Sequence, residues 1–151
     1  MNVSEEDLIE YIKPILKEKG FKKKAKRWTK VTEHFTYLFF IQGSAYDKDD
    51  YYIRPGIIVN DIQAEPWVYG HFYIDIPITT KREIIEKAEA FYSQWSSIEY
   101  LKKTVADFVA WEKRNPVEKR RAGEVDYKAD PVPAHCLFSL TEKAKKEILI
   151  L

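Results

Sequence analysis

The chain has 151 residues, with 25 Lys and Arg against 24 Asp and Glu, and it carries one Cys, four Trp, ten Tyr and eight Phe. This length is typical of one domain, and an apolar share of 45% argues against intrinsic disorder. The lone Cys136 excludes an internal disulfide, and no apolar run is long enough to span a bilayer. We therefore expect a single domain over residues 1–151, with no secretory signal, no membrane segment and a cytoplasmic location.

The first predicted element is a helix that Ser4 caps and that ends before Gly20. Acidic residues occupy its first turn, where the helix dipole favours negative charge. Pro14 removes one backbone donor, so we expect a kink there. The apolar residues recur with helical spacing at Leu8, Ile9, Ile12, Ile15 and Leu16.

From Phe21 to about Ile78 the apolar pattern becomes strand-like and predicts four strands, over residues 26–31, 35–42, 51–60 and 69–76. Pro55 and Gly56 favour a bulge or an edge position in the third of these. In the fourth, we expect His71, Tyr73 and Asp75 to share one face, opposite Phe72, Ile74 and Ile76. Short connections indicate an antiparallel meander, because parallel neighbours need long crossovers.

Helices return after the strands. The capping-box sequences Thr80-Lys81-Arg82-Glu83 and Ser96-Ser97-Ile98-Glu99 predict the starts of two helices, the second of which ends at Asn115. We expect a charged loop over residues 117–133 and a short strand over residues 134–140. Thr141 is predicted to cap a last helix. The predicted fold class is α+β: a four-stranded antiparallel meander sheet, five-stranded if 134–140 joins it, with the N-terminal helix and the C-terminal helices packed on it.

Motifs for catalysis and for metal or phosphate binding are missing from the sequence. His135 and Cys136 are neighbours, and on an extended segment they would point in opposite directions. His34, His71 and Asp75 lack zinc-ligand spacing, and Asp47, Asp49 and Asp50 form a pattern typical of a turn. We expect no catalytic residues, no metal and no cofactor, which favours a protein that is not an enzyme.

The net charge of +1 conceals three different segments. Residues 1–30 carry +4, residues 31–80 carry −5 and residues 81–151 carry +2. The basic cluster from Lys22 to Arg27 has two interpretations: a nucleic-acid contact, or a lysine-rich edge strand that resists pairing with other chains. A pI near 7.7 favours the edge strand, so nucleic-acid binding is not expected.

Some aromatic residues exceed what a small core needs, and they concentrate near Trp67, Tyr69 and Tyr73. Aromatic residues and Arg are enriched at the centres of protein interfaces, so Arg54 with Trp67 and Tyr69 indicates a partner surface or a ligand cleft. The competing interpretation is that these Tyr residues simply pack on a pleated sheet.

The segment IKPILKEKGFKKK, residues 12–24, resembles the opening of the bacterial domain-of-unknown-function family 4304. The resemblance continues through the aromatic strand KRWTK, the segment FIQGS and the segment YIRPGI, and it covers roughly residues 10–60. It implies no known enzymatic activity and no catalytic residues. Similar domains occur near bacterial toxin–immunity loci, which implies an immunity or inhibitor role through steric and electrostatic blockade.

Two functional hypotheses remain. In the first, the chain is a non-catalytic, cytosolic, immunity-like protein that binds a toxin-like protein partner through an aromatic and acidic surface in residues 46–75. The candidate contact residues are Arg54, Trp67, Tyr69, His71, Tyr73 and Asp75. In the alternative, the chain binds a small ligand, or is an enzyme, through a cleft between sheet and helices that uses Arg54, His71 and Asp75.

Overall fold

A computed structural model describes residues 4–43, 51–77 and 80–151. The strands are β1 (Lys22–Lys24), β2 (Arg27–Val31), β3 (Phe35–Gly43), β4 (Tyr51–Val59), β5 (Phe72–Tyr73) and β6 (Ile76–Pro77). The helices are α1 (Glu5–Glu18), α2 (Lys81–Trp95), α3 (Ile98–Arg114), α4 (Val117–Arg121) and α5 (Glu142–Leu149), with a 3₁₀ helix at His135–Ser139 before α5. The predicted turn with Asp47, Asp49 and Asp50 lies outside the described residues.

All strand pairs are antiparallel and follow the chain in the order β1-β2-β3-β4-β5, with β6 also pairing with β4. The longest pairing joins β3 and β4 over nine positions, from Phe35 opposite Val59 to Gly43 opposite Tyr51. An N-terminal helix, an antiparallel meander and C-terminal helices confirm the predicted α+β class. The sheet has six strands because a short β1 precedes β2, and because the outer partner of β4 is divided.

That division contradicts the predicted continuous strand over residues 69–76, and it has a physical reason in Pro55. The amide of Ile74 donates to the carbonyl of Pro55 at 3.2 Å, so the backbone of Pro55 faces the outer partner of β4. Proline has no N–H to donate on that side, and β5 and β6 pair with β4 on either side of this point. The expectation of a bulge or an edge position in β4 was wrong, because β4 pairs with β3 in one continuous register and also has partners along its other edge.

Two predictions for the C-terminal third also need correction. Residues 134–140 do not form a strand: His135–Ser139 is a 3₁₀ helix, in which Leu137 and Leu140 donate to carbonyls three residues back. The predicted charged loop over 117–133 begins with the short helix α4. The rest of it is fastened to the end of α3, because Asp130 accepts hydrogen bonds from Arg114 and Asn115, which lower the pKa of its carboxyl.

The predicted helix starts are confirmed to within one residue: in the second capping box Ser97, and not Ser96, caps α3. The side chains of Ser4, Thr80, Ser97 and Thr141 each accept a hydrogen bond from the backbone N–H three residues on. Gly20 follows α1 with a φ of +91°, a conformation that favours glycine.

Alternation along the strands gives the sheet two different faces. The inner face packs against α1 and α2, and its buried residues include Trp28, Phe39, Ile53 and Ile57. The outer face is formed by the intervening positions, among them Arg27, Phe40 and Arg54. Most inner positions are buried, whereas most outer positions are partly exposed, so the outer face is where the sheet can meet other molecules.

Polar contacts bind the C-terminal helices to this framework. The buried Lys145 ammonium pairs with Glu112 at 2.8 Å and with Glu142 at 2.9 Å, which joins α5 to α3. The carboxylate of Glu147 accepts the backbone N–H groups of Gln63 and Ala64, each at 2.8 Å. The second contact ties α5 to the connection that leads from β4 to β5. Within the described ranges, no helix has the length and apolar character needed to cross a membrane.

A substitution in α1 tests how strongly this helix is integrated into the core. Ile12 is fully buried against the sheet, whereas its neighbour Lys13 is exposed. Ile12→Ala is expected to lower the free energy of unfolding by about 3 kcal/mol, because it removes buried methyl groups and leaves a cavity. Lys13→Ala is the matched control, and urea unfolding followed by circular dichroism is the measurement. Equal stabilities of the two variants would show that α1 is not packed as described.

Candidate partner-binding surface on the outer face

The register of the sheet assembles the candidate surface around β4. On the outer face Phe40 of β3 lies opposite Arg54, and Leu38 lies opposite Gly56. On the other side of β4, Gly56 pairs with Tyr73 of β5. Arg54 and Gly56 are therefore the central outer-face positions, with aromatic residues on both neighbouring strands.

The connection between β4 and β5 turns back over the sheet and crosses it at Gly56. A Cβ atom at Gly56 would lie only 2.0 Å from the carbonyl oxygen of Tyr69, so only glycine allows this approach. The turn is closed by the Gly70 amide, which donates to the Trp67 carbonyl at 2.8 Å, and Gly70 has a φ of +98°. Two glycines thus allow the turn to place Trp67 and Tyr69 on the outer face.

Four rings pack together there and form what we call the aromatic cluster, made of Phe40, Trp67, Tyr69 and Tyr73. Ring centroids lie 4.9 Å apart for Trp67 and Tyr69, 5.6 Å for Tyr69 and Tyr73, and 5.1 Å for Phe40 and Tyr69. Tyr69 is at the centre and only 8% exposed, whereas Trp67 is 48% exposed. The cluster therefore holds a large tryptophan surface in contact with solvent in a fixed orientation.

Arg54 is held against this cluster by two kinds of contact. Its guanidinium lies 4.4 Å from the centroid of the Tyr69 ring, and its Nε donates to Asp75 at 2.5 Å. Burial acts to lower the pKa of Arg54, but the hydrogen bond and charge of Asp75 prevail and raise it. The Tyr69 hydroxyl donates to the side-chain oxygen of Gln42 at 2.8 Å. Arg54 and Tyr69 are thereby oriented before any ligand arrives.

His71 does not join Tyr73 and Asp75 at this surface. It is 3% exposed, its Nδ1 accepts the Val59 amide at 3.0 Å, and its Nε2 donates to the Ala64 carbonyl at 2.9 Å. Burial lowers the pKa of His71, which keeps the ring neutral and its two nitrogens in these roles. His71 therefore supports the β4–β5 connection from within.

The basic cluster of the sequence is divided between the two faces. Lys23 extends over the ring of the buried Trp28 at 5.7 Å, and Lys26 pairs with Glu5 of α1 at 2.5 Å. Three cations lie at outer-face positions, and none of them forms an ion pair with another residue of the described ranges: Lys22, Lys24 and Arg27. Arg27 lies opposite Phe40 and borders the aromatic cluster, and Lys22 and Lys24 lie one strand further out on the same face.

The structure describes three acidic residues of the expected 46–75 surface: Asp61, Asp75 and the exposed Glu65. Asp75 pairs with Arg54, and Asp61 pairs with His34 at 2.8 Å, which raises the pKa of that histidine. At the described strand positions of the outer face, the charged residues without an ion pair to another described residue are Lys22, Lys24 and Arg27.

A cleft of about 360 Å³ lies beside the outer end of the sheet, between Asp75, Trp95 and Cys136. Cys136 is buried, and burial raises the pKa of its thiol to about 11, so the thiolate is scarce at neutral pH. Across residues 4–43, 51–77 and 80–151, no three His, Cys, Asp or Glu side chains converge on a point where a metal ion could bind.

The structure thus brings together five of the six sequence-predicted contact residues, Arg54, Trp67, Tyr69, Tyr73 and Asp75, and buries His71 beneath them. Sequence reasoning missed Phe40 and Gln42, which complete the surroundings of Tyr69. The alternation of the strand could have identified them, because both residues have even numbers and the odd-numbered residues of β3 point to the inner face. The alternation was overlooked because the segment has apolar residues at both odd and even positions.

Residues 12–84 match the family model described as Domain of unknown function (DUF4304). This match confirms the resemblance noted in the sequence for that segment, which contains all six strands and the whole aromatic cluster. The helices α3, α4 and α5 lie beyond it. Comparison with curated proteins and with solved structures found no match.

Replacement of Gly56 tests the close approach on which the surface is built. Gly56→Ala is expected to lower the free energy of unfolding by about 2–3 kcal/mol, because the added methyl group must displace the backbone of Tyr69. The matched control is Gly43→Ala in β3, where an added Cβ meets no atom within 4 Å. Urea unfolding gives the stabilities, and equal effects of the two substitutions would contradict the crossing over Gly56.

The pH dependence of stability tests the role of His71. Because its pKa in the folded protein lies below the ordinary value of 6.5, its contribution to stability is complete above pH 6.5 and is lost as the pH falls. His34 acts in the opposite direction: its raised pKa contributes stability that is lost as the pH rises above 6.5.

We therefore expect His34→Asn to steepen the rise in unfolding free energy from about pH 5.5 to 7, a window around the ordinary histidine pKa. Adding His71→Asn should flatten that rise. Urea unfolding of both variants across this range is the measurement. An unchanged slope in the double variant would show that His71 is not buried in its neutral form.

Proposed function

We propose that the chain is a non-catalytic binding protein whose outer face recognises another protein. The observation that carries this proposal is the aromatic cluster, which presents a half-exposed Trp67 beside an oriented Arg54. Trp, Tyr and Arg are the residues that most often dominate binding energy at protein interfaces. A rigid cluster also loses little conformational entropy when a partner binds.

The charge of this face supports a partner with an acidic surface. Lys22, Lys24 and Arg27 lie beside the cluster without a described counter-ion, and Arg54 is charged at any physiological pH. Complementary charge speeds association and selects among partners, while the aromatic centre supplies most of the affinity.

An immunity-like action in the cytoplasm is consistent with this arrangement. A protein that blocks another protein needs a surface that binds it tightly, and it needs no reactive group. The family resemblance implies an immunity or inhibitor role of this kind. The single buried thiol of Cys136 suits a reducing compartment. A toxin-like protein with an acidic active-site rim is the kind of partner that these features favour.

The alternative of a small-ligand or catalytic cleft has weaker support. The cleft beside Asp75 is large enough for a small ligand, but Asp75 is paired with Arg54 and His71 uses both ring nitrogens for backbone groups. Arg54, His71 and Asp75 are therefore already engaged with one another or with the backbone, and they do not converge on a ligand in the cleft.

The proposal is tested by quantitative affinity purification of the tagged full chain from the organism that encodes it. Trp67→Ala is the test variant and Tyr127→Ala is its control. Tyr127 is 52% exposed, and its ring stacks on the ring of Trp111. We expect a protein that is recovered with wild type and Tyr127→Ala but depleted at least about tenfold with Trp67→Ala.

Direct titration with that purified protein should then show affinity that falls with rising salt, and Lys24→Glu should weaken it further. Two outcomes contradict the proposal. In the first, no protein is recovered in an amount that depends on Trp67. In the second, the material whose recovery depends on Lys24 is nucleic acid.

A further inference from the structure

Within β2, β3 and β4, one charged residue, Lys30, lies on the inner face. Among the described inner-face positions of β2, β3 and β4, every residue except Lys30 is apolar or aromatic. Lys30 lies opposite Tyr37, beneath the end of α1, where its side-chain carbons approach Gly20. Its ammonium group forms no ion pair with any other residue that the structure describes. A partly buried cation without a counter-ion is unfavourable unless an anion joins it.

Lys30 borders a pocket of about 360 Å³ between the end of α1, β2 and α2. Three rings line it: Phe21 lies 6.0 Å and Tyr37 5.1 Å from Tyr92, measured between centroids. The Tyr92 hydroxyl donates to the Leu38 carbonyl, which fixes this ring in place. The pocket thus offers a preformed aromatic wall of a size that suits a small molecule.

Two lysines line the pocket, and they differ in whether an acidic residue pairs with them. Lys19 and Glu89 also line it, and the Lys19 ammonium pairs with the Glu89 carboxylate. Lys30 has no such partner, so it is the cation that remains available to an incoming anion. Ser93, which is exposed on α2, completes the rim and adds a hydroxyl group.

We propose that this pocket binds a small organic anion whose apolar body packs on the three rings while its carboxylate pairs with Lys30. A flat aromatic ring suits the wall best, because the rings already pack with tilted and edge-on geometry. The site does not depend on the outer-face interface. The two share no residues and lie on opposite faces of the sheet.

Phenylacetate is the probe, and phenylacetamide is its uncharged analogue of nearly the same shape. Each is titrated into the isotopically labelled full chain while the NMR signals of Tyr37 and Tyr92 are followed. We expect saturable shifts with phenylacetate in the millimolar range, and binding at least about fivefold weaker with phenylacetamide, because the ion pair with Lys30 is lost.

Lys30→Met removes the charge but keeps the length of the side chain, and it should make the two probes bind equally. The control is Lys103→Met on α3, an exposed lysine that pairs only with Asp107. Ser93→Glu provides a second variant at an exposed position, and it should weaken phenylacetate while sparing phenylacetamide.

The inference is overturned if phenylacetate causes no saturable shift at Tyr37 or Tyr92. It is equally overturned if wild type does not distinguish the two probes. If Lys30→Met does not fold, as judged by circular dichroism, the Ser93→Glu comparison decides, and equal binding of phenylacetate to that variant and to wild type contradicts the role of Lys30.

Discussion

The outer face depends on two adjacent residues at the centre of β4, Pro55 and Gly56. Pro55 has no amide hydrogen for the outer partner strand, and that strand is interrupted where it would pass this point. The interruption takes residues 74 and 75 out of the ladder and leaves Asp75 beside Arg54. Gly56 lacks a side chain, which lets the backbone of Tyr69 lie directly on the sheet. One dipeptide therefore accounts for the positions of both the acid and the ring that hold Arg54.

These constraints act before any partner is present. Tyr69 is enclosed by Phe40, Trp67 and Tyr73, and its hydroxyl is engaged by Gln42, so the ring has little freedom to move. Arg54 is held between that ring and Asp75. On the inner side, His71 fastens the same connection to Val59 and Ala64, and Glu147 of α5 holds Ala64 from outside the sheet. The packing of α5 therefore helps to fix the β4–β5 connection that carries Trp67 and Tyr69.

The fold class, the helix caps and the aromatic candidates could be predicted from the sequence because each rests on local chemistry. A cap needs only a hydroxyl three residues before an amide, and the periodicity of α1 to α3 is visible in short windows. The division into β5 and β6 could not be predicted in the same way, because it depends on which edge of β4 the nitrogen of Pro55 faces. The 3₁₀ helix at His135–Ser139 was missed because a short apolar run does not distinguish a strand from a tight helical turn. The inward position of His71 depends on a long-range partner, the amide of Val59.

Segment charge was the least informative part of the sequence, and the reason is geometric. Residues 31–80 carry an excess of acids, yet Asp75 is paired in space with Arg54, and Asp61 is hydrogen-bonded to His34. The basic run from Lys22 to Arg27 is split by strand alternation, so Lys23 covers a core tryptophan while Lys22, Lys24 and Arg27 remain on the outer face. Lys30 follows Trp28 on the inner face of β2, and its ammonium forms no ion pair with another residue that the structure describes. Net charge sums over both faces of a sheet, whereas a ligand meets only one, so the register of β1 and β2 decides what each face can bind.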